Sequence, residues 1–139
     1  MAVSAADGLI LARLALRANA ALDAAVDGRV FGPHLIEADA GSLERPCVIV
    51  DLLSGGAEYH SGSEALTAYI YAYDDRSQGN AMEIYDLIYA ALQGTRLIDS
   101  ESNVTAAGYA QEVSRPITGY NDQVRAHFAR GVWTLRLAG

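Results

Sequence analysis

The residues of this chain that could ligate a metal or act in catalysis are few and scattered. Its three histidines, His34, His60 and His127, stand far apart, and none pairs with another histidine or a cysteine at ligand spacing. His34 and Glu37 are three residues apart, but they do not lie on a convincing helix. Because a metal site needs three or four convergent ligands, the sequence predicts solvated or half-buried histidines, no metal and no cofactor.

The acidic segment from Asp74 to Asn80 is superficially similar to a calcium-binding loop. If Asp74 takes the first position, the third position is Arg76 and the twelfth is Tyr85, where a carboxylate is required. We therefore interpret this segment as a polar connector between a strand and a helix. The glycine-rich residues 54 to 63 lack the spacing of a nucleophile elbow or a phosphate-binding loop, and we expect a flexible loop there.

Asp51 is the remaining candidate for a catalytic group, because it lies inside an apolar strand pattern. A buried catalytic carboxylate would give this pattern, but so would a strand residue that points outward, and its alternation with Val50 favours the outward position. A small hydrolase or ligand-binding domain that uses Asp51 and His60 in a cleft stays an alternative. Strongly shifted carboxylate and imidazole pKa values at a convergent site would support it.

The basic residues exclude several enzyme classes. All ten are arginines, and there is no lysine for a phosphate-binding loop, a Schiff base or a kinase active site. The net charge of −7 and the absence of a basic run argue against a nucleic-acid binder. No apolar run approaches the roughly 20 residues of a membrane span, and no signal peptide is evident. We expect a protein that is not an enzyme and does not contact a membrane.

Two regions of the chain are predicted to be helical. Residues 5 to 26 are rich in alanine and leucine, and Asn19 is expected to interrupt this run and cap a second short helix that ends near Gly28. A later helix is predicted from about Gln78 to Gln93, with Ser77 or Asn80 as its N-cap. The single Cys47 falls in a predicted strand and reads as a buried, inert thiol.

Four strands are predicted, as two hairpins. The first pairs residues 46–53 with residues 64–73, and the second pairs residues 103–116 with 123–138 around a turn at Gly119–Asp122. Gly131 could host a bulge that switches the buried face of the last strand. We expect one α+β domain over residues 1–139: a single sheet of about four mainly antiparallel strands, in helix-hairpin-helix-hairpin order, with the helices packed on one face.

The strand from Glu64 to Tyr73 carries the most informative pattern. Small and aliphatic residues alternate with Thr67, Tyr69, Tyr71 and Tyr73, so the tyrosines share one face. Tyrosine gives large contact area at low entropic cost, which suits a protein interface. Tyrosines half-buried at a sheet edge remain an equally good interpretation, and stacking on single-stranded nucleic acid a weaker one. The candidate subunit or tube interface comprises Glu58, Tyr59, Glu64, Tyr69, Tyr71 and Tyr73.

The order of these segments resembles a family, the small tail-completion or tail terminator proteins of long-tailed phages and phage-like gene transfer particles. The helix and strand at Ala20–Phe31 are similar to the family's entry motif, and Pro46–Val50 is similar to its first strand, Pro-x-Val-x-Val. Thr67–Tyr73 with the helix that ends at Gly94 resembles its aromatic strand and Ala-Leu-x-Gly helix, and Arg125–Leu137 its closing strand.

The resemblance implies a structural virion protein with no catalytic residues. It implies a ring, usually a hexamer, that caps the tail tube, stops its growth and meets the neck or head-tail connector; another neck or tail component, such as a head-closure or tube subunit, stays an alternative. DNA would pass without specific binding, since six subunits would carry about −42 in charge, which repels it. The expected location is the tail or neck of the virion, after assembly in the host cytoplasm.

Overall fold

The computed structural model describes residues 5–32, 43–54, 63–98 and 107–138. It contains three helices in these ranges, α1 (Ala5–Ala18), α2 (Ala20–Val26) and α3 (Gln78–Leu92). Its strands are β1 (Val30–Phe31), β2 (Cys47–Ser54), β3 (Ser63–Asp74), β4 (Arg96–Ile98), β5 (Ala107–Asn121) and β6 (Ala126–Ala138). No helix among these residues is long and apolar enough to span a membrane.

The expectation of about four mainly antiparallel strands is wrong. The described strands form one curled, mixed six-stranded sheet in the order β1-β2-β3-β6-β5-β4. Two strands were missed because they are only two and three residues long, too short to show periodicity. β1 pairs parallel with β2, and the other pairs are antiparallel. The mixed character therefore comes from the short segment Val30–Phe31, which the sequence indicated only as extended.

The helix boundaries follow local capping chemistry. The Asn19 side chain accepts a hydrogen bond from the Leu22 backbone N–H, and α2 ends at Asp27 and Gly28, both with positive φ. Ser77 caps α3 by accepting a hydrogen bond from the Asn80 backbone N–H at 3.0 Å. The predicted break at Asn19 is confirmed, and Ser77 is the N-cap of the two candidates.

The main core lies between the helices and one face of the sheet. From α1 and α2 it takes mostly leucines, and from β3 it takes Ala68, Ile70 and Ala72, all with no exposed surface. The alternation predicted for β3 is therefore confirmed on its aliphatic side. These small side chains allow the helices to approach the sheet closely, and the larger volumes come from Tyr85 of α3 and Trp133 of β6, which are also fully buried.

The irregularities of the last hairpin lie in β5 and not in β6. β6 pairs with β3 without a break from His127 to Ala138, so the face switch expected at Gly131 does not occur. The pairing of β5 with β6 instead shifts twice, between Glu112 and Ser114 and between Ser114 and Ile117. Such shifts bend a strand and increase its twist, in keeping with the curl of the sheet.

Gly131 has a packing role. A Cβ added at this position would lie 1.9 Å from the hydroxyl oxygen of Tyr85 and 2.5 Å from its Cζ atom. The absence of a side chain at Gly131 thus makes the space in which the phenol of Tyr85 lies against the sheet.

We expect Gly131→Ala to lower the free energy of unfolding by at least about 1–3 kcal/mol, since the methyl group would overpack the site. Gly79→Ala is the matched control, because Gly79 lies in the first turn of α3 and an added Cβ would meet only the Ser77 hydroxyl at 3.7 Å. The control should be neutral or slightly stabilising. Urea denaturation of both variants measures the difference, and equal stabilities would contradict the packing role of Gly131.

Candidate interface surfaces

The three strand tyrosines of the predicted interface lie on the sheet face away from the helices, in different environments. Tyr69 and Tyr71 are half-buried, whereas Tyr73 is only 2% exposed. The rings of Tyr71 and Tyr73 stack with their centroids 5.4 Å apart and their planes 6° from parallel, and Tyr69 is tilted against Tyr71 at 5.9 Å. The three rings form a continuous row, with one end inside the subunit and the other accessible.

Tyr73 belongs to a second hydrophobic cluster on this face. The cluster comprises the buried residues Cys47, Ile49, Tyr73, Val124 and Ala126, with Phe31, Leu43, Tyr71 and Phe128 packed against it. This end of the tyrosine face is therefore covered within the subunit. Tyr73 is thus fully buried in a strand that lies between β2 and β6, whereas Tyr69 and Tyr71 are the half-buried tyrosines and keep surface for a contact.

Arg130 of β6 organises the accessible end of the row. Its guanidinium carbon lies 4.4 Å from the centroid of the Tyr69 ring, in cation–π geometry. Burial raises the pKa of the Tyr71 phenol, and a hydrogen bond from Arg130 partly opposes this shift. Asp51 lies opposite Tyr69 across β2 and β3. Its negative charge also raises the pKa of the Tyr71 phenol. Asp51 is thus a strand residue beside an aromatic and arginine cluster, as its alternation predicts.

The other predicted interface residues are only partly within the structure. Glu58 and Tyr59 lie outside the described residues, as does His60. Glu64 is placed by its backbone in β3, opposite Leu137 of β6. In the described ranges, no group of three or more histidine, cysteine or acidic side chains converges in a way that could hold a metal ion.

Two further tyrosines of α3 take separate roles. Tyr85 is fully buried, and its hydroxyl donates a hydrogen bond to the Glu112 carboxylate and accepts one from the indole N–H of Trp133 at 3.0 Å. Tyr89 is 38% exposed, and the guanidinium carbon of Arg115 lies 5.8 Å from its ring centroid. Tyr85 is therefore a core residue, and Tyr89 lies at the surface beside β5.

The strand β5 carries an exposed apolar surface that the sequence reasoning missed. Four of the five large hydrophobic residues that are exposed in the described part of the chain lie on it, namely Tyr109, Val113, Ile117 and Tyr120, which are 50–60% exposed. The fifth, Tyr89, is linked to the same strand through Arg115. The available signal was the run Tyr109–Tyr120 itself, which keeps apolar residues at intervals without the alternation of a half-buried strand.

The part of this β5 surface around Ile117 is continuous with the tyrosine face, whereas Tyr120 lies opposite His127, and His127 opposite Asp74, on the helix face. Ile117 lies opposite Arg130, and Arg130 lies opposite Tyr71, and residues directly opposite in antiparallel pairs share a face. The outer edge of β5 is covered by β4 only at Ala107–Tyr109, among the described residues. Beyond that point, the Gln93 side chain accepts a hydrogen bond from the Glu112 backbone N–H.

The connector from β3 to α3 is built around Asp74. Burial of this carboxylate opposes its ionisation, but hydrogen bonds from the side chain and backbone of Arg76 and from the backbone of Ser77 outweigh it, so the net pKa of Asp74 is lowered. The Arg76 backbone N–H lies 2.6 Å from the carboxylate. The segment is a structured turn, in agreement with the polar connector predicted from the sequence.

The fold is similar to that of a chain in a solved structure described as the virion of a native gene transfer agent (GTA) particle. The likeness covers 97% of this chain and 98% of that chain, with a TM-score of 0.62 and 18% sequence identity. At this identity the likeness establishes a shared fold over nearly the full length of both chains. No family model matches the sequence, and no curated protein matches it.

The environments of the tyrosines predict different costs of truncation. Tyr73→Ala should lower the free energy of unfolding by about 3 kcal/mol or more, because it empties a buried site. Tyr69→Ala should cost on the order of 1 kcal/mol, since its ring is half-buried and loses mainly the Arg130 contact. Chemical denaturation monitored by circular dichroism measures both, and a larger loss for Tyr69→Ala would contradict the assignment of Tyr73 to the core.

Cys47 should be unreactive in the folded protein, because burial raises the pKa of its thiol from 9.0 to about 12. The stabilisation that this shift provides is fully present below pH 9 and is lost as the pH rises toward 12, since the unfolded thiol ionises first. A thiol reagent such as DTNB at pH 8 should modify Cys47 only after denaturant is added. In Cys47→Ala the fall in stability above pH 9 should be smaller, and rapid modification of the native protein would contradict the burial.

Proposed function

We propose that this protein is a structural component of a phage-like virion, and specifically a tail terminator. In this proposal its single domain, residues 1–139, assembles into a ring of about six copies that caps the tail tube and joins it to the neck or head-tail connector. The ring would assemble in the host cytoplasm and remain in the tail or neck of the particle. DNA would pass through it without specific binding, and the protein would need no cofactor and catalyse no reaction.

The observation that carries the proposal is the end-to-end match in fold with a chain of a gene transfer agent virion. Both chains are covered almost completely, so the shared unit is the whole of each chain and not a common substructure. The sequence resemblance to tail terminators follows the same order of segments and supports the finer assignment. The exposed apolar residues of β5 supply surface for contacts with other subunits, which an assembly protein requires.

The electrostatic balance also supports a passage for DNA. The chain carries ten arginines against seventeen acidic residues, so a closed ring multiplies a negative net charge. A polyanion is repelled by such a ring unless basic side chains are concentrated along its lumen. This charge would allow DNA to move through without being retained.

The proposal predicts closed rings, and the first experiment is light scattering across a concentration series combined with negative-stain imaging of the same samples. Rings of about six subunits should appear, either in the purified protein or on tails isolated from particles that lack this protein. Tails that lack the protein should also have irregular lengths, and its addition should cap them. A chain that stays monomeric at high concentration and binds no tails would contradict the proposal.

The same experiment separates the alternatives within the particle. Rings that bind to filled heads but leave tail length unchanged would favour a head-closure role, and open-ended tubes would favour a tube subunit. Salt-dependent retention of DNA would argue against passive passage. Activity of a small ligand-binding or hydrolytic domain would instead require a convergent site that includes Asp51 and His60.

A further inference from the structure

We propose that the exposed surface of β5 docks onto the acidic helical surface of a second copy of this chain, so that the copies associate head to tail. The β5 surface is defined as Tyr109 and Ile117 of β5 together with Arg136 and Arg130 of β6, which lie opposite them on the tyrosine face of the sheet. This inference rests on the proposed ring and identifies the two surfaces that would form its seams.

The exposure of the β5 surface is the first argument. Tyr109 and Ile117 are both more than half exposed, although each is paired with a residue of β6. A strand that presents several large apolar side chains beside an edge only partly covered in the described structure is a site for association. The two register shifts and Pro116 interrupt the strand between Glu112 and Ile117, so side-chain packing, and not an added strand, is the expected mode of contact there.

The distribution of charge along the chain indicates which molecule binds the β5 surface. Residues 107–139 contain four arginines and two acidic residues, whereas the rest of the chain contains six arginines and fifteen acidic residues. The β5–β6 hairpin is therefore the positive part of a strongly negative chain. The remainder of another copy of the same chain carries the opposite charge and is therefore its electrostatic complement.

The acidic acceptor lies on the helices. Asp23 of α2 and Glu83 and Asp86 of α3 are all exposed, and neither helix contains an arginine. α2 and α3 pack against each other, so these carboxylates belong to one helical layer. On the opposing side, Arg136 is an exposed basic residue and lies opposite Tyr109 on the β5 surface.

The two surfaces are different, and this decides the geometry of assembly. A contact between a hairpin and a helical layer is heterologous, and heterologous contacts generate rings when the rotation between copies closes. A contact of the β5 surface with itself would instead bring arginines together and would stop at a dimer. The head-to-tail arrangement therefore accounts for both the charge asymmetry and a closed ring.

The test uses two single-surface variants of the full chain. Ile117→Glu damages the β5 surface, and the double variant Glu83→Arg with Asp86→Arg damages the helical surface. Each should raise the concentration needed for assembly roughly tenfold or more, as expected when a central apolar or charged contact is lost. Gln123→Glu is the control, because it adds the same charge at an exposed position in the turn between β5 and β6, outside both defined surfaces, and it should assemble like the wild type.

Mixing the two damaged variants gives the decisive result. One copy keeps an intact helical surface and the other an intact β5 surface. At a concentration where the wild type assembles and each variant alone is monomeric, a mixture should therefore form a one-to-one heterodimer and no ring. Native mass spectrometry distinguishes these species, and circular dichroism checks that each variant is folded. Arg136→Glu should weaken assembly as well, and the assembly of the wild type should weaken with added salt.

The outcomes separate the two proposals. Wild-type rings that persist unchanged in Ile117→Glu would overturn the β5 contact and leave the ring function standing. Rings of Ile117→Glu that no longer cap tails would assign this surface to the tail tube, which also overturns the contact between copies. Absence of rings in the wild type, both alone and on tails, would overturn the proposed function and the inference together.

Discussion

A chain of buried hydrogen bonds between Trp133, Tyr85 and Glu112 fixes α3 to the two strands of the last hairpin. The indole N–H donates to the phenol oxygen, and the phenol donates to the carboxylate, which also contacts Arg115 at 3.1 Å. Burial raises the pKa of Tyr85, and the adjacent carboxylate raises it further, so the phenol stays protonated and able to donate. A buried polar chain of this kind stabilises one arrangement because any slip leaves groups unpaired.

The rest of the structure depends on the space that this chain of contacts occupies. Gly131 provides room for the Tyr85 ring, and the small side chains of β3 allow the helices to cover the neighbouring strands. Glu112 is held at the point where the pairing of β5 with β6 begins to shift. Beyond it, β5 carries its large side chains at the surface, including Val113 and Ile117. The contact that secures the core thus lies directly beside the surface proposed for assembly.

The two faces of the sheet are covered to different extents. Among the described residues, the helix face is closed by a single large core, whereas the smaller cluster on the opposite face lies around Tyr73 and Cys47. Beside this cluster, Tyr71, Arg130 and Ile117 lie opposite one another on neighbouring strands of the same face. Tyr71, Arg130 and Ile117 are therefore accessible on this face, and aromatic and arginine side chains are enriched at protein interfaces.

The sequence by itself determined the features that depend on neighbouring residues. Periodicity located the helices and the alternation of β3, and the capping chemistry of Asn19 and Ser77 defined where helices begin. The absence of lysine argues against the enzyme classes that depend on it, and the excess of acidic residues argues against a nucleic-acid binder. These properties are local or compositional, so they can be read without knowing which segments meet.

Only the tertiary structure decided the rest. Val30–Phe31 and Arg96–Ile98 become strands because longer strands lie beside them, and segments of two or three residues carry no periodicity of their own. Tyr73 and Tyr85 are buried and Ile117 is exposed because of what packs against each of them, although all three look alike as apolar residues in the sequence. The sequence therefore identified the aromatic strand, but the position of the exposed surface on β5 depends on contacts between residues far apart in the chain.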